Sequence, residues 1–306
     1  MAKARAIIKR RKAVDNIRKI TRTMELIATA RYRKAMDRAT EAEAYTKKIA
    51  ELVSDLGETS QNVAHPLFAR RDPVKRSLLL VLTSNRGLAG GYNGNVLRAA
   101  FRTYHELQAD GVAPDVELSG KRGVTYWKYR KLPMTASYTQ YEDRPQFDDV
   151  EKLADRYIAM FLSGEIDRLD VAYTEFLSTS RQDAVVRTLL PIPTADLGAS
   201  GSKPDTEVTA AGKVGGAKAE PVPYEYIPDA QGIIREIVPV SFKVRLFKCF
   251  LDAAVSEQIA RMVAMRGATQ NADDLYKELT RSYNRARQSQ ITRELADIVG
   301  AAAALK

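Results

Sequence analysis

The sequence predicts an α/β protein with a long coiled coil: an antiparallel pair of N- and C-terminal helices plus a small doubly wound, Rossmann-like domain. Two observations at the ends and one in the middle predict it. Each end carries a long stretch nearly free of Pro and Gly, with apolar residues at alternating spacings of three and four. Between them, short apolar runs alternate with helical patterns, which is the signature of a wound α/β sheet.

From Ala4 onward no proline or glycine occurs before Gly57, so one helix is expected over 1–57. At 1.5 Å per residue it would be about 80 Å long. Its expected seam is Ile17, Ile20, Met24 and Ile27, resuming as Ala42, Tyr45, Ile49, Leu52 and Leu56. Arg31, Lys34 and Arg38 occupy the stripe between the two runs, which argues against a uniform zipper. The second helix is expected over 241–306, starting near Ser241, with Leu246, Phe250, Ala253, Glu257, Ala260, Ala264 and Gly267 on its seam. Small residues there would let the partner backbone approach closely. Folding back antiparallel puts both chain ends at one end of a rod.

In the middle, an α/β domain is expected over 75–192. Ser77 to Leu82 reads as a near-continuous apolar strand, followed by a Gly-rich turn (Asn85 to Gly94) and a helix to about Leu107. Val116 to Leu118, Pro133 to Tyr138, Leu169 to Phe176 and Ala184 to Leu190 read as further strands, with helices starting near Gly123 and Phe147. Residues 195–222 lack any apolar period and are expected to be a flexible insertion.

With 306 residues, 45% of them apolar, the chain is long enough to bury a core. No window approaches the roughly 18 apolar residues of a membrane span, and the N-terminus does not read as a secretory signal. The basic start, Met1 to Lys12, has the composition of an organellar transit peptide, but helical spacing begins at once with Ile7 and Ile8. A lone Cys249 excludes an internal disulfide, and the two isolated histidines, His65 and His105, supply little for His-based catalysis. The net charge of +10 is concentrated at the ends: residues 1–57 carry 15 Lys/Arg against 7 Asp/Glu, and residues 241–306 carry 11 against 7. Such ends suit nucleic acid, an anionic membrane or acidic protein surfaces.

Three motifs bear on chemistry. Gly87 to Gly94 sits at a strand-to-helix junction where amides could cradle phosphate, but the spacing fits neither GxGxxG nor a P-loop, and a structural turn is expected. Asp148, Asp149, Glu151 and Asp155 read as acids complementing a helix dipole. The basic stretch 3–38, with 13 Lys/Arg against 3 Asp/Glu, resembles a DNA-binding basic helix, yet apolar seam residues run through it. No catalytic, cofactor-binding or metal-ligating set is expected. The alternatives are a basic coiled-coil nucleic-acid binder and a nucleotide-binding α/β enzyme.

Three blocks, in order, carry a resemblance. They are Arg18 to Lys34 (RKITRTMELIATARYRK), Ser84 to Gly91 (SNRGLAGG), and the C-terminal run Met262 to Leu275, Tyr283 to Gln288 and Ile291 to Leu305. Together they closely resemble the gamma subunits of the rotary, F-type proton-translocating ATP synthase, across nearly the whole chain except 195–222. The turn departs from the family pattern: Asn85 and Ala89 stand where Asp and Cys are common. The insertion holds no cysteine, so a thiol switch is unsupported.

The resemblance implies a non-catalytic rotor shaft that couples proton-driven rotation of the membrane ring to the catalytic cycle, or pumps protons in reverse. The implied partners are the alpha and beta subunits, epsilon and the c-subunit ring, with no nucleic acid and no cofactor. The implied place is the cytoplasmic face of a bacterial plasma membrane, with the chain peripheral to it. By motif position, Met24, Glu257, Arg261, Arg287 and Gln288 are the implied partner contacts.

Overall fold

The computed structural model describes residues 2–59, 65–141, 144–193 and 230–304. The expected insertion, 195–222, lies outside them. In chain order the elements are α1 (Ala2–Thr59), β1 (Arg76–Leu82), α2 (Tyr92–Ala109), β2 (Ala113–Ser119), α3 (Lys121–Tyr129), β3 (Ala136–Tyr138), α4 (Phe147–Ser163), β4 (Arg168–Phe176), β5 (Gln182–Leu190) and α5 (Ala230–Ala304). The chain forms two compact units, one from 35–85 and 93–255 and the other from 1–34, 86–92 and 256–306.

The first unit holds a five-stranded sheet of order β3-β2-β1-β4-β5. β1 pairs in parallel with β2 and β4, β2 in parallel with β3, and β5 is antiparallel to β4. β1 is apolar at nearly every position because both faces are covered. Leu78, Leu80 and Leu82 pack with Val150, Leu153, Tyr157 and Phe161 of α4 and Val238, Phe242 and Leu246 of α5. Leu79 and Val81 pack on the other side with Val96, Leu97 and Tyr104 of α2 and Trp127 of α3. Each such fully buried leucine contributes roughly 2 kcal/mol.

The helix ends follow local chemistry. α4 opens with Asp148 and Asp149 in its first turn, as the dipole reading expects, and closes at Gly164, whose φ of 79° lets its N–H reach the Met160 and Phe161 carbonyls. The other two acids of that run, Glu151 and Asp155, hold the Lys243 ammonium at 2.9 and 2.8 Å. α5 begins at Ala230, eleven residues before the expected start near Ser241, and runs through Pro239. A proline inside a helix removes one backbone hydrogen bond. Here Ile234 and Val238 are buried in the sheet core, which holds the leading turns in place.

Two buried polar groups had no signal in the sequence. Glu117 on β2 is 1% exposed and accepts from Arg156 Nη2 at 2.6 and 2.7 Å, Tyr157 OH at 2.6 Å and Tyr138 OH at 3.0 Å. Burial, and then the Glu117 charge, push the Tyr138 phenol up to about 12. Cys249 is buried on α5, and burial pushes its thiol up to about 12, so almost no thiolate exists at neutral pH.

Candidate partner-contact surface

The second unit contains an antiparallel coiled coil of α1 and α5. Its seam on α1 follows a heptad through Val14, Arg18, Thr21, Glu25, Ala28 and Tyr32, and Val14, Thr21, Glu25 and Ala28 are buried. On α5 it follows Met265, Thr269, Ala272, Tyr276, Leu279 and Tyr283, with Met265, Ala272 and Leu279 buried. Residues up to 34 on α1 meet α5 directly. Thr269 Oγ1 lies 2.9 Å from Thr21 Oγ1, Arg266 Nε binds Glu25 Oε1 at 3.2 Å, and Arg18 Nη1 binds Asp273 Oδ1 at 3.2 Å. Arg18 and Arg11 also lie over the Tyr276 ring at 5.3 and 5.9 Å, and Arg11 over Tyr283 at 5.2 Å.

This seam corrects the expected one by one helical position. Ile17, Ile20 and Ile27, expected to face the partner helix, are 52%, 58% and 47% exposed. On α5, Gly267 is exposed and a side chain built there meets nothing, so it does not lie on the seam. The physical reason is that side-chain hydrogen bonds, ion pairs and small residues join the two helices here. The isoleucine stripe is left facing outward. Ile291, Leu295, Ile298 and Val299 add exposed apolar groups at the C-terminal tip of α5.

The Gly-rich turn, 86–92, packs on α5 within the same unit. Gly90 takes φ of 53°, and a Cβ placed there would lie 3.6 Å from Ala264 Cβ. Leu88 takes φ of 65°, a region that non-glycine residues rarely adopt, and is 57% exposed. Ala89 is buried, so the position that commonly holds Cys in similar turns is a packing position here.

Of the implied contact residues, Arg287 and Gln288 are neighbours on the exposed face of α5, and Met24 is half-buried on α1. Glu257 and Arg261 are placed differently from the expectation: they are 7% and 8% exposed and bind each other at 2.6 Å. Arg261 also donates to Gln258 Oε1 at 3.0 Å and, through Nε, to the Gly87 carbonyl at 3.4 Å. Their polar atoms therefore serve contacts within the chain.

The residues just before the Gly-rich turn cap a neighbouring helix, α3. The first three N–H groups of α3 donate to Asn85 Oδ1 at 3.0 Å, the Ser84 carbonyl at 3.1 Å and Thr83 Oγ1 at 3.0 Å. Asn85 Nδ2 simultaneously donates to the Thr139 carbonyl at 3.0 Å. A carboxylate could only accept, so an amide suits this position.

A long antiparallel coil with an outward apolar stripe, together with a wound sheet unit, defines a stalk subunit of a larger assembly. The ATP synthase family model matches residues 3–305. The ATP synthase gamma chain of Rhodopirellula baltica is 53% identical over 306 residues, covering all of both chains, and that of Frankia casuarinae is 36% identical over 302 residues, covering 97% of this chain and 96% of the relative. The chain belongs to the ATP synthase gamma chain family, the central stalk of F1. Among solved structures, the mitochondrial ATP synthase of Euglena gracilis (OSCP, F1 and c-ring, rotational state 3) contains a chain that aligns with a TM-score of 0.65. Its identity is 16%, with 99% of this chain and 95% of that chain covered, and such a likeness shows the fold alone.

Proposed function

We propose that this chain is the turning shaft of its ATP synthase and is itself non-catalytic, with the coil enclosed by a ring of alpha and beta subunits. Its sheet unit would join epsilon on the c-subunit ring, at the cytoplasmic face of a bacterial inner membrane. No described helix is long and apolar enough to cross that membrane, so attachment would run through the complex.

The observation that supports this reading is the outward apolar stripe of Ile17, Ile20 and Ile27. A continuous apolar face left uncovered by the chain's own fold marks a surface for a partner. A shaft that presents different side chains around its circumference favours a different conformation of each catalytic subunit in turn. Rotation driven by proton flow then shifts those populations and couples to ATP synthesis, and hydrolysis drives the reverse. Met24, Arg287 and Gln288 are the contacts this reading assigns, because all three retain exposed surface on the coil.

The test is reconstitution. Mixed with alpha and beta subunits, the chain should form a stoichiometric complex with ATPase turnover and directional rotation of a probe fixed to it. A complex that turns over equally well without the chain would overturn the reading.

A further inference from the structure

Helix α3 and the two residues after it read KRGVTYWKYRK over 121–131, five bases and no acid. All five, Lys121, Arg122, Lys128, Arg130 and Lys131, are exposed, and none is paired with a carboxylate among the described residues. The helix dipole favours a base in the last turn, which accounts for Lys128. It disfavours Lys121 and Arg122 in the first turn, so the dipole does not explain this face. Helical spacing places Lys121, Thr125 and Lys128 in one row and Arg122 and Tyr129 in the next. Tyr129 stands among these bases and is 80% exposed.

The rest of α3 holds this face in place. Trp127, on its inner side, is fully buried, lies edge-on to Phe101 and Tyr104 at 6.1 and 5.8 Å, and donates to the Pro133 carbonyl at 2.9 Å. The Arg130 guanidinium lies 5.3 Å over the Phe101 ring and 5.5 Å over the Tyr126 ring, and its Nε donates to the Tyr126 hydroxyl at 3.1 Å. Its two Nη groups meet no acceptor among the described residues. A fork held in this way matches a carboxylate and loses less freedom on binding than a loose side chain.

We propose that this face of α3 is a docking surface for an acidic segment of another protein subunit. One carboxylate is taken by the Arg130 fork, Tyr129 packs against the segment, and the neighbouring lysines meet further acids. Tyrosine and arginine are the residue types on which interface energy concentrates. A membrane surface fits less well: within 121–131 the Tyr129 ring is the one exposed apolar body, Val124 being half-buried, so little would insert among lipid tails. The proposal rests on the reading of the sheet unit as the part of the shaft that joins other subunits.

The test is carbodiimide coupling of the assembled complex, which joins an amine to a carboxylate where the two are in contact. Lys121, Lys128 or Lys131 should couple to Asp or Glu of another subunit, with a yield that falls in high salt. Arg130→Gln should lower that yield about threefold or more, and Arg130→Lys, which keeps the charge and loses the fork, partway. Neither should move the melting temperature of the chain, because Arg130 is exposed. Lysines that couple to no other subunit, or that couple equally in Arg130→Gln, overturn the proposal. A second arm follows the full chain with vesicles of phosphatidylcholine and phosphatidylglycerol. Vesicle binding that Arg130→Gln abolishes, without coupling in the complex, assigns the face to lipid and also overturns it. Failure of the shaft reading is distinct, since the chain would then enter no complex with alpha and beta subunits.

Discussion

At the scale of single residues, the sheet unit depends on two acids. Glu117 is enclosed, with Arg156, Tyr157 and Tyr138 all bonded to it. Glu117→Gln weakens the charged hydrogen bonds that Glu117 accepts, but Arg156 is 42% exposed and stays hydrated, so a loss of about 1–3 kcal/mol is expected. Urea unfolding at pH 7 checks this, and a loss below about 1 kcal/mol would mean the pair is effectively solvated. Asp167 accepts from the Lys75 and Arg76 N–H groups at 3.0 Å each and from Arg71 at 3.2 Å. Burial pulls its carboxyl upward, but these donors outweigh it and hold the group below its ordinary 3.8. With the folded value depressed, the unfolded chain protonates first as pH falls. The stabilisation is full above the ordinary value and is lost as pH falls through the folded one. Asp167→Asn should therefore lower the urea midpoint at pH 7, and its difference from wild type should shrink on titration below pH 3.8. A difference that stays constant across that range would show that the carboxylate charge is irrelevant.

Among the elements, the junction of β1, β2 and α3 tolerates least change. Gly120 has φ of 99°, and a Cβ there would fall on the Thr83 carbonyl. Gly120→Ala combines backbone strain with a clash against main chain that cannot swing away, so a loss of roughly 3–5 kcal/mol is expected. Thermal unfolding of the variant measures it, and a melting temperature equal to wild type would refute the close approach. α5 offers the contrasting case. Arg287 and Gln288 are exposed, so replacing both by Ala should leave the fold and its melting temperature unchanged. If they bind partner loops at only some rotary angles, those angles lose roughly 1–3 kcal/mol. Normal assembly with slower ATP synthesis and hydrolysis is the expected result; wild-type rates would show that they are solvated helix surface only.

For the whole molecule, the prediction concerns where chemistry resides. The isolated chain should hydrolyse no ATP. The spacing of Gly87 to Gly94 fits no nucleotide-binding signature, and no described group of His, Cys, Asp and Glu is arranged to hold a metal. Turnover that persists after rigorous removal of alpha and beta subunits would contradict this.

Much of the architecture was legible in the sequence. The run from Ser77 to Leu82 states a strand covered on both faces, because no alternation is needed when both sides are dry. The absence of Pro and Gly before Gly57 states one long helix, and the three ordered blocks state the family. What only the tertiary structure decided is which face of each long helix turns inward. Heptad spacing shows that an apolar stripe exists, but a stripe can be buried by the chain's own second helix or by another subunit, and both leave the same spacing. Here Thr21, Glu25 and Ala28 make the internal seam, and the isoleucines one position away face out. The same limit applies to Glu257 and Arg261. An i,i+4 ion pair reads as helix surface until the fold lays the 86–92 turn over it, and that contact joins residues 174 positions apart in the chain.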